Sequence, residues 1–312
     1  MRLRGCKVLV TGGAGFLGSH LCEKLCAEGA KVRVLDLFNS GRETNLSAVQ
    51  SKIELIHGNI ACEKTIGFCC EDVDAIVHLA FPMALRHRVI ETEIITEILA
   101  GHLNLIQEAI SRKAFFINVS SIAVYGDGKY TPIDENHPLE PVLIHGAVKL
   151  ACENFCRTLH HSHGLRTAIL RVADIYGPKN TRISVPIKFL LQAMQNKPIT
   201  LYGDGSDSRT YTFVSDFTEA VVQTLIRSEA DGGIFNISGD QCVSMKELAL
   251  EVKKITGSNV PIVFSDSPAA GRRLFIDNRL SKRILGFESA FPIEQGLTAT
   301  YQWLKDNSKF YQ

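Results

Sequence analysis

Apolar residues fall in two alternating patterns along the first 175 residues. Short β-rich runs occur at Val8–Val10, Val32–Leu35, Ile53–Ile56, Ala75–Leu79, Phe115–Val119 and Thr167–Val172. Most are apolar nearly throughout, as strands covered on both faces are. Between them, Leu17–Glu28, Ile94–Ile110 and Ala147–Leu159 repeat their apolar residues every three or four positions. That is the period of a helix with a buried face. Gly29 stands where the first helix needs a left-handed cap. Strand and helix in alternation, joined by short turns, predict right-handed βαβ units. The expected class is α/β, with a Rossmann-type doubly wound parallel sheet.

The texture changes after Tyr176-Gly-Pro178. Prolines at 186, 198, 261, 268 and 292 interrupt the chain, and 202–208 and 265–273 read as loops. These features predict a smaller C-terminal α/β domain over the carboxyl edge of the sheet. The expected division is 1–175 for the first domain and 176–312 for the second. Segments near 209–238, at Tyr211–Val214 and Ile234–Ile237, are expected to return as strands to the main sheet.

Composition narrows the function classes. Of the 312 residues, 45% are hydrophobic and 21% charged, which is globular rather than disordered. Lys and Arg number 34 against 33 Asp and Glu, a net charge of +1. Nucleic acids and anionic membranes reward a large basic excess, so neither is an expected partner. No apolar run reaches the roughly 18 residues of a membrane span, and MRLRGCKVLVTGGAGF enters a strand without an apolar leader. A soluble cytoplasmic protein is expected. The nine cysteines contain no CxxC, so they read as reduced thiols and not as zinc ligands. His160, His161 and His163 sit before Gly164 at a helix end, where cations are favourable without any metal.

The first strand runs into Thr11-Gly-Gly-Ala-Gly-Phe-Leu-Gly18, with glycines at Gly12, Gly15 and Gly18. Such glycines allow a tight turn, close approach to a pyrophosphate, and close helix–strand packing. The helix that follows offers unpaired N–H groups and partial positive charge to phosphates. Asp36 ends the next strand, where it would accept the ribose hydroxyls and repel a 2′-phosphate. NAD is therefore expected over NADP, with Arg33 and Arg42 nearby as possible moderators.

Further segments extend the pattern: DLFNSGRETNL, HGNI, VHLA, SSIAVYGD, HGAVKLACE, RVADIYGP, LYGDGSDSRTYTFVSDFTEAV and GRRLFIDNRLSKRILGF. With the glycine turn, they make essentially the whole chain resemble the extended short-chain dehydrogenase/reductase family. The resemblance is to its branch of nucleotide-sugar epimerases (of the UDP-glucose 4-epimerase kind), dehydratases and reductases. It implies that Phe16 and Leu17 underlie the pyrophosphate and that Asn39, Ser40 and Gly41 line the adenosine side. Asn59, where the family usually has Asp, and Ile60 would contact adenine. Leu79 and Ala80 would face the nicotinamide.

The family's reaction centre is a Ser or Thr with a YxxxK pair. Ser121 and Lys149 match it, but His145 occupies the tyrosine position. One helical turn apart, His145 and Lys149 share a face. A neutral imidazole is already a proton acceptor near pH 7, whereas a phenol must first be depressed. Three possibilities follow: His145 moves the proton, Ser121 or another group does, or the protein binds without turnover. Ile122 and Ala123 stand where dehydratases carry acidic residues, which disfavours elimination and decarboxylation. Ile98 replaces a frequent Asn, and Asp174 replaces an Asn that commonly touches the substrate diphosphate. Arg209, Arg272 and Arg273 match phosphate-clamping arginines, a task suited to a bidentate, permanently charged group. Tyr202 and Tyr211 would pack on a base or on the core, and Arg86-His87-Arg88 falls where the family lines its substrate pocket. The resemblance also implies a homodimer paired through the 94–110 and 147–159 helices. The implied function is NAD-dependent epimerisation of a nucleotide-linked sugar through a transient 4-keto intermediate. A keto-sugar reductase or dehydrogenase, or a non-catalytic NAD sensor or scaffold, are the alternatives.

Overall fold

The computed structural model describes residues 2–82, 92–266 and 271–311. The basic segment 86–88 lies outside them. In chain order the strands are β1 (Lys7–Thr11), β2 (Lys31–Asp36), β3 (Ile53–His57), β4 (Ala75–His78), β5 (Phe115–Ser121), β6 (Thr167–Val172) and β7 (Asp174–Tyr176). They continue as β8 (Ile199–Tyr202), β9 (Ser208–Phe213), β10 (Ile234–Ile237), β11 (Cys242–Ser244), β12 (Ile262–Ser265) and β13 (Arg273–Leu274). The helices are α1 (Phe16–Ala27), α2 (Glu63–Cys69), α3 (Thr92–Arg112), α4 (Ile144–His163), α5 (Val185–Met194), α6 (Val214–Ile226), α7 (Met245–Thr256), α8 (Arg279–Leu285) and α9 (Ile293–Asp306).

Seven strands form one parallel sheet in the order β10-β6-β5-β4-β1-β2-β3. From β1 the chain winds outward to β3, then restarts at β4 on the other side. A crevice opens beyond the carboxyl ends of β1 and β4, where the winding reverses. Side-chain alternation divides the core. Val8, Val10 and Ile117 pack with Leu21 and Leu25 of α1 and Phe217 and Val221 of α6. Leu9, Ile76, Phe116 and Ile169 pack on the opposite face with Ile66 of α2, Leu105 of α3 and Cys156 of α4. On that second face the apolar rows give way to polar ones near the carboxyl edge. Thr11, His78 and Asn118 lie in register, as do Ser120, Arg171 and Asn236.

Ile234–Ile237 joins the main sheet beside β6. Tyr211–Val214 does not, which corrects the sequence expectation. Tyr211–Phe213 ends β9, which pairs with β7, β11 and β13 in a separate four-stranded sheet, and Val214 opens α6. The physical reason is occupancy: β10 takes the free edge of β6, leaving β9 to pair with β7. A further apolar cluster, including Phe189, Leu190, Leu201, Val243, Leu248 and Leu297, supports this second half.

Candidate active site

The crevice floor is the turn between β1 and α1. Gly12 takes φ +72°, and a Cβ there would stand 2.8 Å from the Ala80 backbone nitrogen. A Cβ at Gly18 would fall onto the Gly12 carbonyl. Only glycine lets the turn lie this close to β4 and to its own helix. Gly15 caps α1 without a side-chain bond, and the first turn holds no acidic residue. The positive end of a twelve-residue helix therefore faces the cavity. Asp36 braces the turn: Oδ2 accepts from Ala14 N at 2.9 Å and Oδ1 from Phe38 N at 2.8 Å.

Neither moderator of that carboxylate reaches the cavity lining. Arg33 is buried, pairing with Glu54 at 2.7 Å and donating to the carbonyls of Phe68, Cys69 and Glu71. The Arg42 guanidinium lies 4.8 Å from the centre of the Phe310 ring.

One cavity of about 390 Å³ collects nearly every residue singled out in the sequence. At one end are Asp36, Asn39, Ser40, Gly41, Asn59 and Ile60. Gly12, Gly15, Phe16, Leu17, Gly18, Leu79 and Ala80 lie along it, with Ser121, His145 and Lys149 also in the wall. Asp174, Arg209 and Tyr211 line it too. Arg272 and Arg273 do not: Arg272 pairs with Asp127 at 2.9 Å and Arg273 lies over Phe275. Tyr202 is exposed, with Lys188 over its ring.

β5 and α4 build the reactive corner. Ser121 ends β5 and caps the short turn Ile122–Tyr125, its Oγ accepting from Ala123 N at 3.2 Å. The first turn of α4 presses on that turn, because Gly146 leaves room: a Cβ would lie 2.6 Å from the Ala123 carbonyl oxygen. His145 precedes that glycine and is buried, with its Nδ1 bonded to no protein group. Burial, and then the Lys149 charge, lower its pKa. Lys149 donates from Nζ to the Val119 carbonyl at 2.7 Å and lies 4.3 Å from the centre of the Phe81 ring. Burial pushes its ammonium down to about 8.

Asp174 does not stand alone against the cavity. Arg209 Nη1 meets its Oδ2 at 3.2 Å. Arg182, passed over in the sequence, lines the same wall with Asn180 and Thr181. Burial and the Arg209 guanidinium lower the pKa of Arg182. Its one local signal is that it closely follows the Gly177-Pro178 turn. Glu97, next to Ile98 on α3, also lines the cavity.

Residues 8–238 match the NAD-dependent epimerase/dehydratase family. The chain belongs to that family. It is 28% identical over 316 residues to a putative UDP-glucose 4-epimerase of Methanocaldococcus jannaschii, covering 97% of this chain and 99% of that one. It is 30% identical to UDP-glucuronic acid decarboxylase 1 of Xenopus tropicalis, over 96% of this chain and 72% of that protein. The crystal structure of UDP-glucuronic acid 4-epimerase from Bacillus cereus, solved with UDP-glucuronic acid and NAD, superposes with a TM-score of 0.87 at 26% identity. That match covers 96% of this chain and 99% of the other. As a member of an NAD-dependent family the protein is an enzyme and its cofactor is NAD. The crevice fits that cofactor: the glycine turn leaves backbone space for a diphosphate, and Asp36 retains acceptor capacity for a ribose.

Proposed function

We propose that the protein is an NAD-dependent epimerase of a nucleotide-linked sugar, acting through a transient 4-keto form, with His145 in the tyrosine's place. The observation that carries this reading is the placement of Ser121, His145 and Lys149 in one cavity wall with the glycine turn and Asp36. Gly12, Gly15, Phe16, Leu17 and Gly18 would hold the diphosphate. Asp36 would hold the adenosine ribose, with Asn39, Ser40, Gly41, Asn59 and Ile60 around the adenosine. Leu79 and Ala80 would border the nicotinamide. NAD, when bound, supplies the hydride acceptor and donor.

The chain's own residues handle the proton. His145 is kept neutral by burial and by Lys149, so its imidazole is ready to accept the proton of the sugar hydroxyl. After the keto-sugar turns over in the site, the imidazolium returns that proton. Ser121 orients the hydroxyl, while the Lys149 ammonium holds the nicotinamide ribose and disfavours a second positive charge on His145. Asp174, by pairing with Arg209, removes its own repulsion from a phosphate. Arg209 then grips the substrate diphosphate from its remaining N–H groups. The neighbours of Ser121, Ile122 and Ala123, bring no carboxylate, which favours epimerisation over elimination.

On the same reading, residues 1–175 chiefly hold cofactor and 176–312 substrate. The protein would be a cytoplasmic homodimer paired through α3 and α4, with Leu103 exposed on α3 and Leu143 exposed just before α4. Among the described residues no helix is long and apolar enough to cross a membrane.

The test compares His145→Phe with His145→Tyr under saturating nucleotide-sugar. Loss of the acid/base group should lower kcat about 100-fold or more in the Phe variant, with NAD still bound and partial activity in the Tyr variant. Because burial lowers the His145 pKa, the acid limb of the wild-type profile should lie below the ordinary 6.5. Unchanged turnover in His145→Phe overturns the assignment.

A further inference from the structure

Outside the cavity lining, on the strands behind it, lies a polar layer that the proposed reaction does not use. Three adjacent strands contribute Thr11, His78 and Asn118 in register, and α3 contributes His102 above them. The His78 and His102 rings lie 5.4 Å apart; His78 stacks on Phe116, two residues before Asn118, and His102 meets the same ring edge-on. His102 and Asn118 are 0% and 1% exposed.

Hydrogen bonding in this layer is incomplete. His78 Nδ1 meets Thr11 Oγ1 at 2.8 Å. His102 Nε2 lies 3.1 Å from the Cys152 carbonyl, which can only accept, so Nε2 carries the proton. His102 Nδ1 is then a bare acceptor, and no protein group donates to it. Asn118 is in the same condition at both ends, with neither Nδ2 nor Oδ1 bonded to a protein group. Leaving three such atoms dry would cost about 1–3 kcal/mol each. One buried water needs two to four polar partners. His102 packs on the rings of His78 and Phe116, which flank Asn118 across and along the sheet, and two acceptors and one donor are what a single water can bridge.

We propose that Asn118 and His102 form a buried hydration site that solvates the Lys149 ammonium from the sheet side, which makes both of them positioning residues for that lysine. The inference rests on the reading that places Lys149 against the cofactor ribose. Lys149 is anchored to the carbonyl of Val119, the residue after Asn118, and its charge is felt at both His78 and His102. Other groups around the ammonium are Cys152 and Glu153 on its own helix, with His145 one turn before. Glu153 is already engaged by Arg171 of β6. His78 and His102 are neutral, burial holding His102 at about 3 and His78 well below its ordinary value. Neither histidine adds repulsion near pH 7, and hydration between them and the lysine offsets what burial takes away.

The test needs no sugar substrate: NAD affinity of the full chain is titrated from pH 6.5 to 9.5 in wild type, Asn118→Leu and Asn118→Ser. Leucine fills the site without polar atoms. The alkaline fall of NAD affinity should move down by about one pH unit, a tenfold loss of affinity on that limb. Serine keeps a hydroxyl and room for water, so its profile should stay close to wild type. A high-resolution crystal structure of the wild type should show ordered density between Asn118 and His102 Nδ1. It decides the matter if Asn118→Leu does not fold. An unmoved limb in a folded Leu variant, a wild-type affinity without an alkaline limb, or a dry layer each overturns the proposal. Absence of epimerase turnover, or an active His145→Phe variant, would leave these readouts unchanged and would count only against the reaction proposed above.

Discussion

Arg171 and Glu153 are 1% and 0% exposed at their side chains, and they meet at 2.7 Å. Glu153 also accepts from Ser120 Oγ at 2.5 Å, and Arg171 donates to Tyr125 Oη at 3.0 Å. Tyr125 in turn donates to Asn236 Oδ1. The network ties α4, one turn beyond Lys149, to β5, β6 and β10 behind the reactive corner. Removing one partner leaves a buried charge without compensation, which costs about 3–5 kcal/mol. Glu153→Ala should lower the unfolding free energy by about 3 kcal/mol or more in urea titrations; a loss below about 1 kcal/mol would mean that water or another group replaces the carboxylate. Such partnerships are where residue-level reading of the sequence stops. Asp36 is legible because its role follows from local position, at the end of the strand after a glycine turn. Asp174 and Arg209 lie 35 positions apart, and Arg171 and Glu153 lie 18 apart on different elements. Neither spacing carries a signal, so the neutralising partner of Asp174 emerges only in three dimensions. Arg33 shows the converse. It flanks Asp36 in the chain, yet strand alternation turns it to Glu54 on the opposite face.

At the scale of elements, α4 presents His145 and Lys149 from one face, and its contact with the Ser121 turn sets where that face lies. Gly146 is the contact point, with the Ala123 carbonyl oxygen 2.6 Å and the Pro141 Cβ 3.0 Å from a hypothetical Cβ. Gly146→Ala gains up to about 1 kcal/mol of helix propensity, but both obstacles are close and one is backbone. The first turn of α4 must therefore shift, and catalysis tolerates little displacement. Turnover is expected to fall at least tenfold while the far-UV circular dichroism stays that of wild type. Wild-type kcat would show that the turn can yield without moving His145. The parallel strands were legible because burial on both faces makes them continuous apolar runs. α2, seven residues long, was not, since two helical turns are too few to establish a period. The strand pattern of β9 is legible but its partner is not: apolar pattern specifies that a segment pairs, and the free edge of β6 goes to β10.

For the whole molecule, the near-zero net charge conceals a set of histidines that the fold holds neutral. Burial is the leading cause at His78, His102, His20 and His145, and it lowers the pKa of each. In the unfolded chain each would titrate near 6.5. Below that pH the unfolded state binds more protons than the folded one, so stability falls as pH falls. The contribution is fully present above about 6.5 and, for His102, continues to be lost down to its folded value of about 3. Between pH 7 and 5.5, His78 and His102 alone should remove about 2.5 kcal/mol. The interval stops above the range of ordinary carboxylates. Glu135 and Asp216, raised mainly by burial, work in the opposite direction and matter most below it. Urea unfolding at the two pH values measures the difference. His102→Gln, which cannot titrate, should recover about half of it while changing stability at pH 7 by its own fixed amount. A flat stability between pH 7 and 5.5, or the same slope in wild type and variant, would mean that His102 is protonated in the folded protein. That result would also assign a proton to Nδ1, converting one of the two acceptors of the hydration site into a donor and adding a second positive charge near Lys149.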